Sequence, residues 1–397
     1  MIKKFHYLII FTVLLVLVVG SLSVSAIGKG DYKFKIFSDG IVAKQSNELQ
    51  PSVEEGYTID DTNQLKKMTK ETVKITVNQG SDKEYSLDLV KFKENNKIIA
   101  VKPQEGYRAY NFKESKNHIA FTDRLLHGLW VADKETLTPI NLQPETVNGI
   151  SQKELFNKKK ELEKQGKDLD NAYLFWVENV FWSPGGDKIA FNSNRHVYPR
   201  SDMAIWVTDL AGNTTKIVDN KEASTIILGW INETDLLYTD TSNHSLYKVN
   251  INSKEKEQVY GRAVFTDYSS TGRYVLYREF IDKDSIIASD DLYSLDLKNN
   301  ASSKIDLPSG FDAFSGYYGW NDTKNKVAFY ISNKNKDNYK LVIYNFTTSE
   351  IEIIDAPEGK HFDISVTPAW SKDKVLYILD GQLKSIDTFN LVVSDRT

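Results

Sequence analysis

Apolar residues along this chain come in short runs separated by polar turns, and the runs recur in a fixed phrase. An aromatic residue is followed, seven to nine residues later, by the aromatic end of a small apolar run. The copies are Phe112 to Phe121, Trp182 to Phe191, Trp230 to Tyr238, Tyr268 to Tyr277, Trp320 to Phe329 and Trp370 to Tyr377. A second phrase follows each: Leu129 to Asp133, Ile205 to Asp209, Leu246 to Asn250, Leu292 to Asp296, Leu341 to Asn345 and Leu383 to Asp387. Its first residue is always aliphatic and its fifth is Asp or Asn. Self-similarity at a period of roughly 40 to 50 residues marks a repeat architecture.

The second copy shows what one repeat builds. Val180-Phe181-Trp182 is a short apolar strand. Ser183-Pro184-Gly185-Gly186-Asp187 is turn chemistry, because Pro fixes φ and Gly permits positive φ. Lys188 to Asn192 is a second strand, Ala204 to Thr208 a third, and Thr215 to Val218 a fourth after the Asp209-Leu210-Ala211-Gly212-Asn213 turn. Four short strands joined by hairpins make one small antiparallel sheet. Such a sheet alone leaves a face wet, so successive copies must pack face to face, as in a β-propeller. The pattern predicts an all-β propeller with six recognisable four-stranded blades. The Trp residues at the first strands, Trp182, Trp230, Trp320 and Trp370, are expected to be equivalent and to pack between blades.

The spacing between the first two copies is 70 residues, against 38 to 52 for the rest. The excess holds a helix, expected at about 151–169. Ser151-x-x-Glu154 is a capping box, and Leu155, Leu162 and Leu169 fall seven apart as one narrow apolar seam. That seam predicts a helix lying over a propeller face.

At Phe181-Trp182-Ser183-Pro184-Gly185-Gly186-Asp187-Lys188-Ile189-Ala190-Phe191, followed by Ile205-Trp206-Val207-Thr208-Asp209, the chain resembles the TolB-type propeller repeat. Trp320-Asn321-Asp322 and Trp370-Ser371-Lys372-Asp373 resemble degraded copies of the same phrase. The resemblance spans about residues 107–394. It implies the propeller fold and leaves the chemistry open, because repeats of this kind serve translocation proteins, peptidase accessory domains, lyases and secreted binding modules. TolB itself carries an α/β domain before the propeller, whereas residues 31–105 here are β-rich. Tyr85-Ser86-Leu87-Asp88-Leu89 recurs letter for letter at Tyr293 to Leu297. With Lys97 to Val101, Thr72 to Val77 and Phe34 to Phe37, it either supplies an irregular seventh blade or belongs to a separate β-rich lobe. The acidic, Pro-containing stretch Gln50 to Asn63 reads as a loop.

Composition narrows the setting. Lys3 and Lys4, an apolar run from Tyr7 to Val19, and Val24-Ser25-Ala26 form a signal peptide over residues 1–26, with Ile27 as the expected mature N-terminus. The run is short for a spanning helix, so no membrane insertion is expected after cleavage. The chain has no Cys, which suits a bacterial exported protein large enough to fold without disulfides. Loss of Lys3 and Lys4 takes the net charge from −4 to −6, which argues against nucleic acid as a partner.

No catalytic motif is present: no G-x-S-x-G, H-E-x-x-H, P-loop or dinucleotide turn. The chain ends at Thr397, just after the sixth repeat, so no hydrolase domain is expected beyond it. Three histidines, His127, His196 and His244, occupy the same place in successive repeats, the loop between second and third strands. With Arg195, Tyr198, Arg200 and Asp202 of the second repeat they form the candidate binding face. Imidazoles suit Zn, Mn or Fe, but equivalent loop positions need not converge, so no metal and no cofactor is assigned. Asp282, Asp284, Asp290 and Asp291 in the loop from Phe280 lack the spacing of a known Ca²⁺ loop. The sequence therefore predicts an exported, non-catalytic scaffold that binds an envelope protein or polysaccharide through propeller loops. A metal-dependent carbohydrate lyase or hydrolase using the histidine face is the alternative.

Overall fold

The computed structural model describes residues 32–46, 52–59, 65–78, 84–104, 111–122, 128–142, 146–147, 150–166, 177–195, 203–219, 225–282, 284–387 and 393–394. The signal segment, His127, His196, Tyr198, Arg200 and Asp202 lie outside these. The chain is all-β, a β-propeller protein of eight consecutive blade-like sheets, seven of four strands and one of three. Each sheet is built from strands consecutive in sequence.

The six copies of the phrase each become one four-stranded sheet. Sheet 3 runs from Lys113 to Asn141, sheet 4 from Val177 to Val218, sheet 5 from Thr225 to Tyr260, sheet 6 from Val264 to Ile305, sheet 7 from Phe311 to Asp355 and sheet 8 from Ala369 to Ser394. The N-terminal region forms two sheets rather than the single irregular seventh blade. Sheet 1 comprises Tyr32–Ile36, Val42–Ser46, Val53–Ile59 and Leu65–Lys67; sheet 2 comprises Thr69–Asn78, Glu84–Glu94 and Lys97–Pro103. The count is thus eight, neither six nor seven. The segment at Phe34 and the segment Thr72 to Val77 fall in different sheets. The acidic stretch assigned to a loop contains a strand, because Val53 and Gly56 are buried and only Glu54 among its residues is fully exposed. A Cβ on Gly56 would sit 2.1 Å from the Phe92 ring, so the strand can pass this close only at glycine.

The described residues divide into two compact units. The larger, residues 50–56 and 67–307, contains sheets 2 to 6. Its interior is a series of apolar layers between successive sheets. Val77, Leu87 and Leu89 of sheet 2 meet Ile119, Phe121 and Trp130 of sheet 3. Ala120, Leu129 and Val131 meet Val180, Ile189 and Phe191 of sheet 4. Ile205 and Val207 then meet Ile227, Trp230 and Leu236 of sheet 5, and Leu237 and Leu246 meet Val275 and Tyr277 of sheet 6. Sheet 2 is crossed in the reverse sense. Its last strand, not its first, meets the first strand of sheet 3, through Val101 N–H to Glu114 Oε1 at 3.2 Å. Thr69–Asn78 lies beside the last strand of sheet 3.

The other unit, residues 1–49, 57–66 and 308–397, contains sheets 7 and 8, the first two strands of sheet 1 and parts of its third and fourth. Tyr330, Leu341 and Ile343 pack on Trp370, Val375 and Tyr377. On its other side sheet 8 packs on sheet 1, with Leu376, Ile378 and Leu383 against Ile36 and Val42. Among the described residues no strand of either pairs into the other.

The inserted helix is present and shorter than expected, Gln152–Lys164, with both hydrogen bonds of the capping box made between Ser151 and Glu154. It follows a two-residue hairpin, Thr146–Val147 with Ile150–Ser151. Gly166 at φ +68 ends it, since a left-handed residue closes the last turn. Leu162 is half-buried, and Leu169 lies outside the described residues.

Candidate binding surface

The side chains that recur in the repeat turn out to build it. In five of the six copies the Asp or Asn at the fifth place of the second phrase caps the hairpin that follows. Asp209 Oδ1 accepts from Ala211 and Asn213 N–H, both at 2.9 Å. Asp133 does the same for Glu135 and Thr136, Asn250 for Asn252 and Ser253, Asp296 for Lys298, and Asn345 for Thr347 and Thr348. The Thr136 N–H holds the Asp133 carboxyl below the ordinary carboxylate range, and the Asn213 side-chain amide does so for Asp209; for Asp296 burial opposes, and the Arg273 and backbone bonds outweigh it. The serine after the first-strand aromatic is likewise a staple. Ser183 Oγ accepts from Lys188 N–H at 3.1 Å, and Ser269 Oγ accepts from Tyr274 N–H at 2.9 Å.

The predicted loop residues are distributed unevenly. Arg195 is 2% exposed, its guanidinium 4.9 Å from the Phe191 ring centroid and 5.2 Å from that of Trp206. Its Nε donates to Ser193 Oγ at 3.1 Å. Burial pulls its pKa down to about 9. This arginine is part of the packed end of sheet 4 rather than of an open loop. His244 lies where the repeat predicts it, between the second and third strands of sheet 5, in a left-handed turn at φ 56. Its half-buried ring meets Phe280 edge-on at 5.4 Å. Burial, and then the Arg262 charge, lower its pKa, with Asp240 opposing. Among the described residues no group of three His, Cys, Asp or Glu side chains is placed to hold a metal.

His244 abuts the long connection that follows in sheet 6. In the connection between the second and third strands of sheet 6, Glu279 to Asp291, the described residues, all but Lys283, form a hydrogen-bonded hairpin. Ile281 N–H donates to Ile287 O at 3.0 Å, Ser289 N–H donates to Glu279 O at 2.7 Å, and Phe280 bridges Ala288. Its base is clamped from sheet 5. The Arg262 guanidinium lies 4.1 Å from the Phe280 centroid and donates to Ser285 O, while His244 abuts the same ring. From the tip project Ile281, Ile286 and Ile287, with 59%, 62% and 62% of their surface open to solvent, more than any other large apolar side chain described. Around them stand Asp282, Asp284 and Asp290. These aspartates lack the spacing of a Ca²⁺ loop, and the isoleucines between them carry the informative signal.

A second group of charges lies on first strands of the same unit. Lys113 Nζ is 5.5 Å from the Phe181 ring centroid. Its side chain is reached by solvent, yet the surrounding protein lowers its pKa, an effect that Asp267 opposes. Glu178, on the first strand of sheet 4, has its pKa raised by burial.

These observations define a propeller protein with a structured, loop-borne surface, and its repeats resemble the TolB type. No protein-family model and no curated protein sequence matches the chain. Among solved structures it is similar to a putative dipeptidyl aminopeptidase IV from Bacteroides ovatus, at 12% identity and TM-score 0.52, covering 92% of this chain and 59% of that one. It is also similar to an acylaminoacyl peptidase from Pyrococcus horikoshii, at 13% identity and TM-score 0.50, covering 92% and 52%. A putative TolB from Agrobacterium tumefaciens aligns at 12% identity and TM-score 0.40, over 72% of this chain and 88% of that one. At these identities the likeness is one of fold.

Proposed function

We propose that this protein is an exported, non-catalytic binding scaffold that recognises a partner at the bacterial cell envelope through its connecting loops. The observation that carries this reading is the clamped hairpin of sheet 6. Three isoleucines exposed together on an ordered tip lose hydrophobic stabilisation unless something covers them, and such patches mark interaction sites. The recurrent Asp and Ser side chains support it too, since the structure uses them to hold turns. Rigid sheets presenting loops are suited to recognition.

The reading is tested in living cells with a photoreactive phenylalanine in place of Ile286 or Ile287, and in place of Ile140 as an exposed control on sheet 3. A discrete ultraviolet-dependent adduct from the hairpin positions alone is expected. No adduct at either position, or the same adducts from position 140, would overturn the proposal.

A further inference from the structure

Resting on that reading, we infer that the hairpin tip docks on a basic amphipathic segment of a protein partner, one with an apolar stripe bordered by Lys or Arg. The tip is apolar at Ile281, Ile286 and Ile287 and acidic immediately around them. Between Glu279 and Asp291 stand five acids and one Lys, a local charge of −4 in a chain whose total is −4. Asp291 is committed to Lys304 at 2.9 Å, and Asp282 Oδ1 accepts from Asp284 N–H at 2.9 Å. The carboxylates of Asp284 and Asp290 form no ion pair or side-chain hydrogen bond among the described residues. They are free to face cations on a partner.

The alternatives fit less well. An anionic lipid surface would be repelled by the aspartates that flank the isoleucines. A polysaccharide would meet branched aliphatic side chains at the tip, with no exposed flat ring to stack on. A basic amphipathic segment answers both the apolar tip and its acidic border, with the charges setting specificity and encounter rate. The tip is also ordered in advance. The cross-hairpin bonds, the 2.9 Å bond from Ile287 N–H to Ser285 Oγ, and the Arg262–Phe280 clamp fix it before contact, which reduces the ordering cost of binding.

The experiment uses the mature protein and three probes: a fluorescein-labelled 18-residue Leu/Lys amphipathic helical peptide, its Leu/Glu counterpart, and phosphatidylglycerol/phosphatidylethanolamine vesicles. Fluorescence polarisation should show the Leu/Lys peptide binding and the Leu/Glu peptide not. The surface variant I281S/I286S/I287S should weaken binding by about tenfold or more, as for loss of a hot-spot cluster. D284N/D290N, with the isoleucines intact, should weaken it several-fold and flatten its salt dependence. Binding undiminished in the isoleucine variant, equal binding of the two peptides, isoleucine-dependent vesicle binding in place of peptide binding, or no binding of the Leu/Lys peptide would each overturn the inference. A crosslinked adduct from Ile286 alongside failure with the peptide would leave the scaffold reading standing and remove only this partner class.

Discussion

Asp209 shows what the fifth position of the second phrase is for. Its two oxygens satisfy Ala211 N–H, Asn213 N–H and the Asn213 amide, so the turn is closed by one short side chain. Replacement by Ala should cost on the order of 1 kcal/mol, the usual effect of losing a side-chain cap, read as a lower midpoint in urea. Because these carboxyls titrate below the unfolded range, their contribution is present near neutrality and is lost as pH falls through the acid range. Glu178 has the opposite sign. Its folded pKa is raised by burial, so the native state holds the proton more tightly and stability falls as pH rises above about 4.5, the ordinary value. Glu178→Gln should flatten that decline in a pH series of denaturation curves. An unchanged pH profile would mean that the carboxyl is solvated. The recurrence of Asp and Asn is plain in the sequence. Their role is not, because a capping carboxylate and a ligand carboxylate are the same residue until the neighbouring N–H groups are placed.

At the scale of the strand, the first-strand aromatic is a tie between sheets. By cross-strand register its equivalents are Trp182, Trp230, Tyr268, Trp320 and Trp370. In sheet 3 the same place is held by Glu114, not by Phe112 as the spacing suggested. Three indoles donate from Nε1 to one carbonyl position on the first strand of the preceding sheet: Trp182 to Lys113 O at 3.1 Å, Trp230 to Phe181 O at 3.1 Å and Trp370 to Gly319 O at 2.8 Å. Tyr268 reaches Trp230 O with its hydroxyl at 2.5 Å. Trp320 instead stacks on Phe346 at 5.3 Å within its own sheet. Close approach is why glycine precedes two of the aromatics. A Cβ on Gly319 would lie 1.9 Å from Pro368 O, and one on Gly229 would lie 2.5 Å from the Tyr268 ring. Trp230→Ala should cost about 3–5 kcal/mol, the range for a buried aromatic, and the hydrogen bond goes with it. Glu114 ties sheet 3 to sheet 2 by charge, pairing with Lys102 at 3.0 Å and Lys134 at 2.5 Å. Glu114→Ala removes the carboxylate that two nearly buried ammonium groups share and should cost about 3–5 kcal/mol, whereas a substitution of exposed Glu135 should be nearly silent in the same thermal melt.

For the whole molecule, six sheets were legible because each carries the same phrase in the same order. The first two were not, and the reasons are specific. Sheet 2 has three strands and is crossed in reverse, so the Tyr85 to Leu89 copy of a third strand becomes a middle strand of a different kind of blade. In sheet 1, Gly56 and the acidic pair Glu54 and Glu55 disguise a strand as a loop. The candidate surface was half legible. The repeat placed His244 correctly, but nothing in it said that the histidine ring and Arg262 would clamp Phe280, a contact made between neighbouring sheets. The seam of sheet 8 on sheet 1 has a mechanical consequence. Strands within a sheet share ladders of hydrogen bonds, but these two sheets, one near each end of the described chain, meet through Leu376, Ile378, Leu383, Ile36 and Val42, and among the described residues no strand passes between them. Tension applied at Tyr32 and Asp387 is carried first by those side-chain contacts, whose attraction fades within about an ångström of separation. In an optical trap the protein should therefore yield in two stages, a soft early opening at this seam and then the stiffer rupture of individual sheets. A disulfide engineered across the seam should abolish the first stage and leave the second in place.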